Sequence, residues 1–339
     1  MSQVLEKIKI AKKNTASLLD LSGMNLKKIP TEVFELDFLT NLNLRDNTIS
    51  EIPDEISKLS NLKVAYFDTN KIEFISKALY DLNQLTVLNL GRNQIKSIPE
   101  EIGLLKNLTR LLIPKNNIKT IDSGIGGLHK LQICNLRDNI LDKIPEEFSK
   151  LNHLIRLDVS KNKLSNFNVD CSKLNRLEWL DLSSNELTEI SRTIGKLSHL
   201  HLLNLNNNQL SKTPLNLDCL KNLKQLNLSE NSISSLELNI NKMKNLNDLK
   251  VFLNDDIQIQ HKFIKKLIKR KSWRDNQFKL LIDDKQAKKI PHFKNDFTRG
   301  QIGVIDFENK KIPLGHYKQI EPDVIEKYGL RDPNRERIL

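Results

Sequence analysis

Asparagine recurs in this chain at Asn47, Asn70, Asn93, Asn116, Asn139, Asn162, Asn185, Asn208, Asn231 and Asn254, every step being 23 residues with no insertion or deletion. Around each asparagine the string follows L-x-x-L-x-L-x-x-N-x-L, as in Leu85, Leu88, Leu90, Asn93, Ile95 and in Leu177, Leu180, Leu182, Asn185, Leu187. An eleventh unit precedes them at Leu19, Leu21, Met24 and Leu26, with Met24 in the asparagine's place. Self-similarity at a fixed period of this size means an array of stacked units, which grows without needing a larger single core.

Each position has a physical role. The x-L-x-L segment alternates in steps of two, so it reads as a short strand with leucines inward and the x residues outward. The asparagine stands where the chain leaves the strand, and its amide can satisfy turn backbone groups that would each cost on the order of 1–3 kcal/mol if buried unpaired. The second half of the unit often reads Ile-Pro-x-Glu-Ile, as at Ile52–Ile56 and Ile98–Ile102. Proline donates no ladder hydrogen bond, so it opens a short helical or irregular return on the opposite side. Ile75-Ser76, Ile121-Asp122, Phe167-Asn168 and Ile190-Ser191 lack the proline, and altered local geometry is expected there.

The 23-residue unit with Ile-Pro-x-Glu-Ile resembles intracellular leucine-rich-repeat proteins of the Ras-suppressor class and their plant Ras-group-related relatives, over roughly Ala16 to Ile257. The resemblance implies an α/β solenoid: a leucine-rich-repeat horseshoe with a parallel concave sheet and an irregular or short-helical convex side. It also implies a non-enzymatic adaptor or scaffold. Extracellular proteins of this kind usually close their ends with cysteine-rich caps. Here Cys134, Cys171 and Cys219 are three, widely spaced and inside the repeats, which argues for an intracellular, cytoplasmic chain. A ciliary or mitochondrial location is also compatible with the sequence. No run of about 18 apolar residues appears, so no transmembrane segment is expected.

Charge divides the chain into parts. Residues 16–257 carry 30 basic and 30 acidic residues, residues 1–15 carry a net +3, and residues 258–339 a net +9, which together give the +12 of the whole. Residues 1–15 place Val4, Leu5, Ile8 and Ala11 at helical spacing and read as an N-terminal cap helix. Residues 16–257 are the solenoid of about eleven units. Residues 258–282 read as a basic amphipathic C-terminal cap, with Lys262, Lys265, Lys266, Lys269 and Arg270 facing out toward an anionic partner such as RNA, and residues 283–339 as an extended tail.

Chemistry is scarce. The Gly-rich Ser123–Gly127 has no Lys-Ser/Thr after it and falls on a return segment, so it is no phosphate loop. The seven histidines are scattered, and no spacing suggests a metal, so neither catalytic residue, metal nor cofactor is assigned. Lys71-Ile72-Glu73-Phe74 fits a degenerate phosphatase-docking pattern, but Ile72 occupies a core position of the repeat. The outward strand positions carry the functional expectation instead. Stacking the repeats brings Leu112, Ile133, Trp179 and Leu202 together with Arg110, Arg137 and Arg156, residue types enriched at binding hot spots, on one wall. With Tyr66 and Arg92 these form the candidate protein-binding face. The alternative role is a structural subunit of a large intracellular assembly, ribonucleoprotein or ciliary, anchored by the basic segment and tail.

Overall fold

A computed structural model describes residues 2–254, 257, 279–283, 301–305 and 311–316 of the chain. It divides into two compact units, Met1–Leu203 with Pro214–Leu220, and Asn204–Thr213 with Lys221–Leu339.

In the first unit, three-residue strands recur with the asparagine period: Leu18–Asp20, Asn41–Asn43, Val64–Tyr66, Val87–Asn89, Arg110–Leu112, Ile133–Asn135, Arg156–Asp158 and Trp179–Asp181. They pair in parallel with no slip, each residue opposite the one 23 positions on, as Arg110 is opposite Ile133 and Arg156 opposite Trp179. The register follows from the leucines: a one-residue slip would turn every inward side chain out. Leu88, Leu90, Leu180 and Leu182 are all fully buried.

The asparagines fasten one repeat to the next. Asn139 donates from Nδ2 to the carbonyls of Ile113, Leu136 and Arg137 at 3.0, 2.9 and 3.4 Å, and its Oδ1 accepts the N–H of Ile118 at 3.0 Å. The residue before each ladder asparagine adopts a left-handed backbone, from Asp46 (φ 55°) to Ser184 (φ 53°), which an L-residue adopts only at a cost. The ladder bonds hold that turn in place.

The returns are short 3-10 helices, such as Asp54–Lys58, Glu100–Leu104 and Glu146–Lys150, each opened by the expected proline. Three of the four units named for lacking proline keep the same turn, which corrects the expectation of altered geometry there. Ser76 and Ser191 replace the proline by accepting the backbone N–H two residues on, and Ser123–Gly127 folds as a 3-10 helix after Asp122. After Phe167-Asn168 the expectation holds, and the helix is cut to Cys171–Lys173. The glycines of Ser123–Gly127 serve packing: a Cβ on Gly124 would lie 1.9 Å from the Glu100 carbonyl oxygen. The N-terminal helix Ser2–Lys13 buries Val4, Ile8 and Ala11.

In the second unit, Gln225–Asn227 and Asp248–Lys250 continue the 23-residue pattern, with Asn231 donating to the carbonyls of Leu205, Leu228 and Ser229. Lys279–Asp283 then pairs in parallel with Asp248–Lys250, so the sheet runs past Asp255-Asp256, where the repeat pattern stops. It follows that the boundary drawn between residues 282 and 283 cuts a strand. Gln301–Ile305 and Lys311–His316 add an antiparallel pair. Lys262, Lys265, Lys266, Lys269 and Arg270 lie outside the described residues.

Candidate functional site on the strand face

Because side chains alternate along a strand, burying the leucines fixes what the other face shows. Strand pairing sets Val64, Val87, Arg110, Ile133, Arg156 and Trp179 in one row and Tyr66, Asn89, Leu112, Asn135, Asp158 and Asp181 in the next. Leu202 follows Trp179 one repeat on, its backbone N–H donating to the Glu178 carbonyl at 3.1 Å.

Trp179 is half-buried on this face, since Leu177, Leu180 and Leu182 fill the interior below it. The Arg156 guanidinium lies over its ring, 3.5 Å from the centroid. Behind the pair lie two carboxylates that face outward yet are buried, Asp158 and Asp181. Each has the same local partner: Asp158 Oδ1 accepts the Ser160 N–H at 3.0 Å, and Asp181 Oδ1 the Ser183 N–H at 3.0 Å, with the serine hydroxyls donating as well. Arg137 Nη1 donates to Ser160 Oγ at 3.1 Å, closing the cluster from the neighbouring strand. Burial dominates the titration of Asp158 and raises it above the ordinary carboxylate range, against the pull of the Ser160 hydrogen bonds, Arg137 and Arg156. Burial likewise lowers Arg156 from its usual value, opposed by Asp158 and Asp181.

The other expected residues fall as follows. Ile133, Leu112 and Leu202 are half-buried beside or near this cluster, and Arg110 is exposed beside Ile133. Tyr66 lies two strands from Leu112 in its row and forms a separate group: Arg45 stacks on it at 4.8 Å, and Asp68 accepts from Asn89 Nδ2 at 2.9 Å. Arg92 is exposed in the left-handed turn that follows its strand, outside both rows. Phe74 of the docking-like tetrapeptide is exposed, but Ile72 is fully buried, so the two side chains cannot enter one pocket. Sequence reading missed the structural part of Asp158, Asp181, Ser160, Arg45 and Asp68. The signal was present as Asp-x-Ser at 158–160 and 181–183, as in the first unit at 20–22, where Asn43, Asn89, Asn135, Asn204 and Asn227 hold the first position in other repeats. Among the described residues no group of three His, Cys, Asp or Glu could hold a metal.

A family profile described as leucine rich repeat matches residues 37–95, 106–164, 128–187, 153–210 and 175–233, more than half of the chain. The chain belongs to the leucine-rich-repeat family. Among curated proteins, this leucine-rich-repeat chain is 48% identical over 46 residues to the CCR4-Not complex 3'-5'-exoribonuclease subunit Ccr4 of Saccharomyces cerevisiae, 14% of this chain and 6% of that one. The Schizosaccharomyces pombe Ccr4 is 41% identical over 46 residues, 14% of this chain and 7% of that one. The likeness thus spans less than a tenth of those relatives and extends to the repeats alone. Among solved structures, a leucine-rich-repeat protein of Leptospira interrogans superposes with a TM-score of 0.61 at 28% identity, covering 76% of this chain and 72% of that one. The plant peptide hormone receptor RGFR1, in complex with RGF2, gives 0.61 at 27%, covering 68% and 40%. A TDR receptor gives 0.69 at 24% identity, covering 83% and 51%, a likeness of fold alone. The leucine-rich-repeat fold is that of a protein-interaction domain and is typically non-catalytic. No helix among the described residues is long and apolar enough to cross a membrane.

Proposed function

We propose that this chain is a non-enzymatic scaffold or adaptor that captures a protein partner on its outward strand face, centred on Trp179 with Arg156 and Leu202. The observation that carries the reading is the half-buried indole with the Arg156 guanidinium over its ring and Leu202 one repeat on, on a face that the repeats leave open. A large aromatic ring fixed in place loses little further freedom on binding, and its remaining burial contributes on the order of 1.5–3 kcal/mol. Partner capture by the full chain, measured by biolayer interferometry with a partner isolated on it, tests this. Trp179→Ala is expected to weaken capture by about tenfold or more, equivalent to about 1.4 kcal/mol. The stacking it removes is worth about 0.5–1 kcal/mol, so the thermal midpoint should fall by only about 1–4 °C. Capture that survives Trp179→Ala but vanishes on deleting residues 258–339 would transfer the function to the basic segment.

A further inference from the structure

The cations of the strand face are not alike. Arg156 is spent within the molecule, stacked on Trp179 beside Asp158 and Asp181. Arg110, by contrast, is exposed and makes no side-chain hydrogen bond or ion pair among the described residues. Arg137 is only partly engaged: Asn135 Oδ1 accepts its backbone N–H at 3.0 Å, Ser160 Oγ accepts from Nη1 and its charge acts on Asp158, which leaves four of the five guanidinium donors without a hydrogen-bond partner among the described residues. Between these two arginines lie Leu112, Ile133 and Pro114, all half-buried, an apolar floor one strand pair wide. Neither strand presents an acidic residue outward. Asp138 sits in the turn after Arg137, and Asp158, one strand on, is buried against Ser160.

The register sets a spacing. Arg110 is opposite Ile133, and Arg137 lies four residues beyond Ile133, two of them past the strand's end, so the two positions are up to about 13 Å apart along the strand direction at about 3.3 Å per residue. Residues i and i+4 of an extended peptide have that same separation. Resting on the reading that this face binds protein, we infer that the patch takes an extended acidic segment of a partner. Two carboxylates four residues apart sit on Arg110 and Arg137, and an apolar side chain between them sits on Leu112 and Ile133. Planar guanidinium groups suit carboxylates through paired hydrogen bonds. Charge only at the two ends and an apolar floor between them match such a peptide better than a nucleic acid strand, which carries a phosphate at every step and gains most from a continuous cationic track.

The test is a displayed library of random twelve-residue peptides panned on the full chain at low salt. Enriched sequences are then remade with a fluorescein label and titrated by fluorescence anisotropy. Asp or Glu at two positions four apart, around an apolar residue, is the expected enrichment. Arg110→Glu and Arg137→Gln, each checked for an unchanged circular dichroism spectrum, should weaken binding about tenfold, and replacing the peptide's acidic residues by lysine should abolish it. Enrichment of neutral or basic peptides, no enrichment, binding indifferent to Arg110→Glu, or displacement by an equimolar twelve-nucleotide oligouridine would each overturn the inference. Peptides that are not acidic but are weakened by Trp179→Ala would sink the acidic segment and leave the protein-binding face standing. Peptides that bind Arg110→Glu and Trp179→Ala alike would sink both.

Discussion

Two clusters on the strand face of the first unit are built from the same parts. In one, Arg45 stacks on Tyr66 at 4.8 Å, with its Nε 3.7 Å from Asp68, itself tied to Asn89. In the other, Arg156 stacks on Trp179 at 3.5 Å, with Asp158 and Asp181 behind and Arg137 closing the side. Each pairs an arginine with an aromatic ring one repeat on and buries a carboxylate beneath. Their surroundings separate them. Around Tyr66 the outward positions mix Asn41, Asn43 and Asn89, which keep water close, with the small apolar Val64 and Val87, whereas Trp179 has the larger Leu202 beside it and Ile133 two strands away. Repetition therefore supplies the motif, and the neighbours decide whether it becomes a docking point. A cation on an aromatic face is worth more when desolvated, and the second cluster joins the larger ring and the closer guanidinium, 3.5 Å against 4.8 Å, to the larger apolar side chain on its border.

The scaffold beneath should not differ between the two. Asn70 donates to the carbonyls of Leu44, Phe67 and Asp68 and accepts the Ile49 N–H, the same four bonds that Asn139 makes one cluster further along. Asn139→Ala and Asn70→Ala should each lose roughly 1–3 kcal/mol in equilibrium urea unfolding, because both leave a turn N–H and several carbonyls unpaired. An unchanged midpoint for either would mean that water replaces the amide at that turn. Unequal losses would mean that the clusters rest on different foundations.

How much of this was legible in the sequence depends on whether it repeats. The inward leucines, the ladder asparagines, the strand register and the neutral solenoid all follow from one period, because every copy faces the same packing problem. Serine at positions 76 and 191 shows where that logic went too far: losing the proline seemed to change the turn, but a hydroxyl accepting the N–H two residues on keeps it. The outward residues differ from copy to copy, so periodicity gave their addresses and no more. That Asp158 and Asp181 are buried while facing outward depends on local serines two residues on and, for Asp158, on Arg137 of the preceding repeat, 21 positions back in sequence. Past residue 254 the period ends, and with it the signal. Lys279–Asp283 joins the sheet at a step unrelated to 23, so nothing in the repeat could have announced it.

Binding should separate the clusters sharply. If the apolar border matters, Trp179→Ala weakens partner capture about tenfold or more while Tyr66→Ala changes it by less than about threefold, under about 0.7 kcal/mol. Equal losses from both would show a contact running across all the strands between them, and a larger loss from Tyr66→Ala would place the docking point at the wrong cluster.

The smallest effect concerns the buried carboxylates. Asp158 and Asp68 are both raised above the ordinary carboxylate range, in each case mainly by burial, with nearby arginines pulling the other way. For a group raised on folding, the contribution to stability is fully present below the unfolded value of about 3.9 and is lost as pH rises through the higher folded value. Ionised Asp158 is therefore a liability near neutrality. Asparagine suits the site sterically, because Asn89 and Asn135 occupy the equivalent position and accept the N–H two residues on just as Asp158 does. Asp158→Asn should thus be about as stable as the parent near pH 4 and gain on it as pH rises toward 7, read as the difference in urea midpoints between the two proteins at each pH. Taking that difference cancels the opposite trend from Asp20, Glu35, Glu101 and Asp170, which are lowered and unchanged by the substitution. Asp68→Asn should move in the same direction, since its dominant cause is the same. A parent that gains on Asp158→Asn between pH 4 and 7 would mean that Arg137 and Arg156 outweigh burial. The second cluster would then be held together by its charges rather than merely containing them, the one respect in which it would differ in kind from the first.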